Sequence, residues 1–311
     1  MKVGLFWPLT LARQFTAFLI MENLPWPLPG YGLRGPQVDP YGALGLAGPQ
    51  LHIPGIQEIR SVGEPLIAKH PFPRTREEVV AELDELIFLQ SKRCTNEIGG
   101  EYNGHPRLKL SEYLQARATD QARFKDQHKV GGPNIKTGAD LARWFENDTP
   151  LLGGWMALSV LLKKHGKPPT EQAFIWAALN AAISAALLAA WHYKWIEPAS
   201  RLKPRPTEVT DRLTVIYGED DLGTPVDNPN GFSGVPRHPT YPSGHSTVGG
   251  ATAEILKRFF PDSADSDELD KLADNSGLAR MWAGIHYRAD HEFGIALGAA
   301  VARLVYPVSS S

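Results

Sequence analysis

The stretch HPTYPSGHSTVGGATAEILKRFF, at 238–260, decides how the chain is read. Pro242 precedes a serine, a glycine and a histidine, and a helical pattern with small residues then begins, so Ser243, Gly244 and His245 fall at a helix N-terminus. The first backbone N–H groups of a helix have no partner inside it, and the helix dipole adds positive potential there, so an anion is stabilised at that place. Gly244 leaves the main chain open to an oxyanion, Ser243 brings a hydroxyl donor, and His245 can take or give a proton near neutral pH. Alone, the string reads equally well as a serine cap on an ordinary helix.

Two further strings bear on it. ARMWAGIHYRADHEFG, at 279–294, spaces Arg280, His286 and Asp290 as an arginine, five residues, a histidine, three residues and an aspartate. On a helix His286 and Asp290 are i and i+4, so the carboxylate can hold one imidazole nitrogen and leave the other as a ligand or nucleophile, while Arg280 clamps an anion with its planar fork of donors. Upstream, WHYKWIEPASRLKPRP, at 191–206, places Lys194 and Arg201 just after an alanine-rich helical pattern, where two more cations can reach the same site. A solvated helical face and a basic linker are the plainer readings of these two strings taken singly. Their occurrence together, in this order, favours an oxyanion site.

Outward from these strings the periodicity is helical. TREEVVAELDELIFLQSKR, at 75–93, sets Val79, Leu83, Leu86 and Leu89 on one stripe, with acidic residues in the first turn and basic ones in the last. Further helices are expected at 110–127, 137–146, 151–165, 169–196, 243–260, 268–282 and 287–305, and no alternating run suggests a substantial sheet. The expected fold is an all-α helical bundle with irregular connections, the longest at about 198–242. Residues 1–74 are rich in proline and glycine and read as an extended arm packed on the core, with 75–311 a single helical domain that carries the site.

Composition limits the partners. The 311-residue chain carries a formal net charge of −2 and has a pI near 6.6, so no basic field gathers nucleic acid or anionic lipid, and an anion needs a local cluster. Cys94 is the only cysteine, which excludes an intrachain disulfide and a thiolate metal cluster. The apolar stretch at 3–21 is interrupted by Pro8, Arg13 and Gln14 and has no small-x-small cleavage site, so neither a signal peptide nor a spanning helix is expected from it. The uncharged stretch at 173–191 is long enough to span a bilayer, but its alanines beside Asn180, Ser184 and His192 suit a buried bundle helix. A soluble protein, cytoplasmic or periplasmic, is expected.

The three strings resemble the signature of the type 2 phosphatidic acid phosphatase superfamily, which is Lys-x6-Arg-Pro, then Pro-Ser-Gly-His, then Ser-Arg-x5-His-x3-Asp. The likeness covers roughly residues 173–297. Ala279 stands where that superfamily has serine and Leu202 where it has proline; an Arg-Pro does occur at Arg205–Pro206, so Arg201 is preferred on spacing and Arg205 is its substitute. Trp195 after the lysine, and the longer His-Pro-x-Tyr-Pro-Ser-Gly-His at 238–245, resemble the vanadium-dependent bromoperoxidases within that superfamily, whereas Trp191 falls where vanadium chloroperoxidases carry a tryptophan. The resemblance implies vanadate as cofactor. His286 would bind vanadium; Lys194, Arg201, Ser243, Gly244 and Arg280 would hold the oxygens; His245 would be the acid–base group, with Asp290 behind His286 and His238 and Trp191 as halide-site candidates. It further implies hydrogen peroxide, a halide (bromide or iodide before chloride) and a small organic acceptor as reaction partners, with subunit contacts of a homo-oligomer, dimer or higher, adding burial. Two alternatives stay open: an acid phosphatase working through a phosphohistidine at His286, and a non-catalytic oxyanion-binding protein. His192, Arg288 and His291 are assigned no role, and Trp282 and Phe293 are read as core.

Overall fold

Helix α2, Arg76–Lys92, begins where the sequence signals it, because Thr75 accepts from the Glu78 amide and the Glu78 carboxylate reaches back to the Thr75 amide, closing a capping box. In the computed structural model the described residues are 51–72, 75–94, 101–102, 105–106, 137–147, 151–195, 204–216, 235–236 and 238–307, all inside the compact unit Gly35–Ser311. The expected helix at 110–127, residue Arg201 and the first fifty residues of the expected arm lie outside them.

Nine helices occur among the described residues. With α2 they are α1 Ile56–Lys69, α3 Gly138–Asn147, α4 Leu152–His165, α5 Pro169–Trp195, the single turn α6 Pro206–Val209, α7 Gly244–Phe259, α8 Ser263–Trp282 and α9 Arg288–Val305. The only sheet among them is a two-residue antiparallel ladder, β1 Glu101–Tyr102 with β2 His105–Pro106. Helices α7 and α9 form the centre, with α5 and α8 packed on them. Their approach is set by missing side chains: a Cβ on Gly250 would lie 2.2 Å from the Ile295 carbonyl oxygen, and one on Gly298 would lie 1.9 Å from that of Thr247. Only glycine at both places lets the two backbones touch.

Two stretches differ from the sequence reading. Residues 56–69, read as part of an extended arm, form α1, which buries Ile59 and Gly63 despite Pro65 inside it. The segment is tied down before the helix begins, where the His52 amide donates to the Val305 carbonyl at the end of α9, 2.9 Å. Apolar burial and this bond outweigh the ladder hydrogen bond that Pro65 cannot make. Helix α8 starts at Ser263 rather than 268. Asp262 caps it by accepting from the Ala264 and Asp265 amides, and the buried Asp265 carboxylate pairs with Lys164 and His165, both at 2.7 Å.

Helix α5 is the one described helix long and apolar enough to cross a membrane. Much of its surface, including Ile175, Ala178, Leu179, Ala182 and Ala186, is buried against the other helices of the chain.

Candidate active site

The C-terminal end of α5 delivers Lys194, a charged side chain with no exposed surface. Its Nζ donates to the carbonyl oxygens of Pro239, 2.6 Å, and Thr240, 3.1 Å, so the loop ahead of α7 is held onto the end of α5. One turn earlier, Trp191 sets its ring 5.2 Å from the ring of His238 and 6.0 Å from Lys194 Nζ, and both rings are half-buried.

Arg205, immediately before α6, is also fully enclosed. Nη1 donates to the Ile285 carbonyl, 2.7 Å, and lies 3.0 Å from His286 Nε2; Nε donates to the His238 carbonyl, 3.2 Å, and Nη2 lies 3.1 Å from His238 Nδ1. A guanidinium only donates, so His286 Nε2, which it faces, carries a lone pair, whereas His238 Nδ1 also lies 3.2 Å from the Pro239 carbonyl. On the far side of its ring His286 Nδ1 lies 2.8 Å from Asp290 Oδ2. The imidazole of His286 is therefore neutral, protonated on Nδ1, with Nε2 left as the acceptor.

Asp290 Oδ2 also accepts from the Tyr287 amide, 2.9 Å, and from the Thr240 hydroxyl, whereas the buried Oδ1 has no hydrogen-bond partner. The Asp290 carbonyl accepts from the Ser243 amide, 3.0 Å, which joins the start of α9 to the start of α7. Ser243 caps α7 by accepting from the Ser246 amide, 3.3 Å, so its own hydroxyl proton is available to another acceptor. Around the position of a Cβ on Gly244 the nearest atom is a ring carbon of Trp191, 3.8 Å away, so one side of this first residue of α7 is open. Arg280, fully buried in the last turns of α8, donates from Nη2 to the Ala142 carbonyl of α3, 2.5 Å. His245, half-buried, hydrogen-bonds the Phe145 carbonyl of the same helix α3.

The electrostatics of this cluster are lopsided. Lys194, Arg205 and Arg280 are fully buried, and Asp290 is the carboxylate that acts on Lys194. Burial, then the Arg205 guanidinium, hold the Lys194 ammonium well below its usual range despite Asp290. His286, His238 and His245 are likewise held well below the usual imidazole range, first by burial and then by nearby cations: Arg205 and Lys194 for His286, Lys194 and Arg205 for His238, Arg280 for His245. Burial pushes Asp290 up to about 6, against the pull of the Thr240 hydroxyl and the Tyr287 amide. Three buried basic side chains beside neutral imidazoles form a donor set suited to an anion.

The structure thus brings together Lys194, Trp191, His238, Ser243, Gly244, His245, Arg280, His286 and Asp290, while Arg201 lies outside the described residues. Arg205, kept as its substitute for its Arg-Pro dipeptide, holds His286. Thr240 was not singled out from the sequence, since a threonine in a proline-rich loop carries no periodic signal. Glu82 of α2 was also missed: its Oε2 accepts from the Arg288 amide, 2.6 Å, and the Ala289 amide, 3.3 Å, at the head of α9. His291 hydrogen-bonds Ser246 Oγ, 3.0 Å, and Arg288 pairs with Glu85, 2.7 Å; Trp282 and Phe293 are buried.

Known proteins carry sequence like this. The chain is 37% identical over 122 residues to a vanadium-dependent bromoperoxidase of Corallina officinalis, covering 30% of this chain and 20% of that protein. It is 35% identical over 95 residues to one of Ascophyllum nodosum, covering 22% of this chain and 17% of that protein. The chain is similar in sequence to vanadium-dependent bromoperoxidases. It spans about a fifth of the length of these relatives. No protein-family model matches it. Among solved structures it aligns with a bacterial vanadium-dependent iodoperoxidase at 21% identity and a TM-score of 0.43, covering 67% of this chain and 51% of that one.

Proposed function

We propose that the chain is a vanadate-dependent haloperoxidase that uses hydrogen peroxide to oxidise a halide to hypohalous acid, which then halogenates small organic acceptors. The observation that carries this reading is a neutral His286 whose Nε2 lone pair faces Arg205, away from Asp290, with Lys194 buried nearby and Arg280 buried beside His245. A vanadate anion fits that donor set. It would be held by His286 through Nε2 and by Lys194, Arg205, Arg280, the Ser243 hydroxyl and the open side of Gly244, with Arg205 in the role first given to Arg201. When bound, vanadate supplies a Lewis acid that activates hydrogen peroxide toward attack by halide.

The chain's own groups do the rest. His245, held neutral and engaged with the Phe145 carbonyl, accepts the proton that incoming hydrogen peroxide releases. Lys194, fixed by two carbonyls, places its remaining N–H against an oxygen on which negative charge grows. Asp290 keeps the His286 proton on Nδ1 throughout, so Nε2 stays a ligand. Trp191 and His238 form a half-buried lip suited to a soft, polarisable ion, which supports bromide or iodide before chloride.

The same Nε2 lone pair suits a nucleophile, so a phosphatase forming a phosphohistidine at His286 is the second reading. One paired assay separates them. Protein loaded with orthovanadate is given hydrogen peroxide and bromide, iodide or chloride with a cyclic diketone, and vanadate-free protein is given a chromogenic phosphate ester. Halide-dependent bleaching of the diketone supports the haloperoxidase; vanadate-sensitive ester hydrolysis without halogenation overturns it in favour of the phosphatase. Neither activity, with phosphate still raising Tm, leaves a binding protein.

A further inference from the structure

We propose that Thr240 is a positioning residue that ties His286 and Lys194 into one unit, an inference that rests on the oxyanion site proposed above. Thr240 is fully buried, and both of its polar ends are engaged with that site. Its hydroxyl lies within hydrogen-bonding distance of Asp290 Oδ2 and 3.1 Å from His286 Nδ1, while its carbonyl accepts from Lys194 Nζ at 3.1 Å. An ionised carboxylate only accepts, so the Thr240 hydroxyl donates to Asp290 Oδ2 and turns its lone pairs toward the Nδ1 proton of His286. That proton is then shared between two acceptors on one side of the ring, which fixes both the tautomer and the direction of Nε2.

The grip is one-sided. Asp290 Oδ1 is buried without a partner, so the carboxylate is oriented through Oδ2 alone, where Thr240, Tyr287 and His286 converge. Remove the hydroxyl and one of three donors that hold Oδ2 is lost, together with the second acceptor for Nδ1–H. Because the same residue's carbonyl holds Lys194, a shift of Thr240 moves the ammonium and the imidazole together.

The test compares T240V and T240A, which lack the hydroxyl, with T240S, which keeps it. Isothermal titration calorimetry of each ligand-free protein with orthovanadate, and separately with inorganic phosphate, reads oxyanion affinity. The ring ¹⁵N shifts of His286 in the ligand-free protein read the tautomer. Both hydroxyl-free variants are expected to bind about 10- to 100-fold more weakly and to show mixed tautomers, with T240S restoring wild-type affinity and a single Nδ1–H form. Either hydroxyl-free variant that folds, binds with wild-type affinity and keeps the single tautomer overturns the proposal; T240A, which adds no methyl group to the site, carries the comparison if T240V does not fold. Wild-type protein that binds neither anion sinks the haloperoxidase reading instead, and the ring shifts then decide the role of Thr240 by themselves.

Discussion

His286 is flanked by a group that can only donate, Arg205, and one that when ionised can only accept, Asp290, and this asymmetry dictates its chemistry. Replacing it with alanine removes the proposed vanadium ligand, so H286A is expected to lose at least about 100-fold in halogenation rate after vanadate loading; turnover near wild type removes His286 from the site. The choice between the two arginines is equally open to measurement. R205A deletes charge-assisted donors worth about 1.5–3 kcal/mol each, so it is expected to weaken orthovanadate binding by about 10- to 100-fold, whereas R201A leaves the affinity unchanged; the reverse pattern restores Arg201 to the role. Much of the site was legible because its residue types are chemically narrow: a serine, glycine and histidine at a helix start, and a histidine and aspartate four apart. Spacing ranks Arg201 above Arg205, although the following proline points to Arg205, and sequence offers no way to weigh the one signal against the other. Thr240 and Glu82 were invisible, because their value lies in partners 46 to 207 positions away.

Helix α9 begins without a side-chain cap of its own at Tyr287, and α2 supplies the acceptor, Glu82, for its first two amides. Burial, then the neighbouring Asp290 and Glu85 carboxylates, push Glu82 up to about 8, with Arg288 paired to Glu85 beside it. The folded protein keeps a proton here that the unfolded chain gives up from about pH 4.5, so the stability Glu82 contributes is present below that pH and is lost as pH rises through 8. E82Q keeps an acceptor for the two amides and does not titrate. Its urea midpoint is expected to rise relative to wild type between pH 5 and pH 8, and a difference that stays constant with pH contradicts this account. The α7 and α9 contact makes a second demand at this scale. G298A forces a methyl group against the Thr247 carbonyl, and urea denaturation is expected to show a loss of about 1–3 kcal/mol. Helices with caps or strong periodicity, such as α2, α5 and α9, were legible in the sequence to within a residue or two. Helix α1 was not, because Pro65 and the surrounding prolines and glycines mask a segment that tertiary contact keeps helical, and the polar opening of α8 hid its start.

For the molecule as a whole, three neutral imidazoles beside three buried basic side chains make folding sensitive to acid. His238, His245 and His286 are held below their ordinary value near 6.5, so the unfolded chain binds protons first, and the stability they contribute is present above that pH and lost as pH falls through it. Glu82 and Asp290 act in the opposite sense, so the effect is cleanest in E82Q, where three histidines stand against one carboxylate. Its Tm is expected to fall between pH 7.5 and pH 5.5, and a flat or rising Tm would mean that these histidines are charged in the native state. An oxyanion at about 100 times its Kd adds about 2.7 kcal/mol at either end of that range if its affinity there is the same. The backbone-to-backbone meeting of α7 and α9 has one more consequence. It leaves no room for a side chain at Gly250 or Gly298, whereas the rim of the candidate site, made by the rings of Trp191 and His238, is only half-buried. Attempts to retune selectivity by directed evolution should concentrate their libraries on that rim.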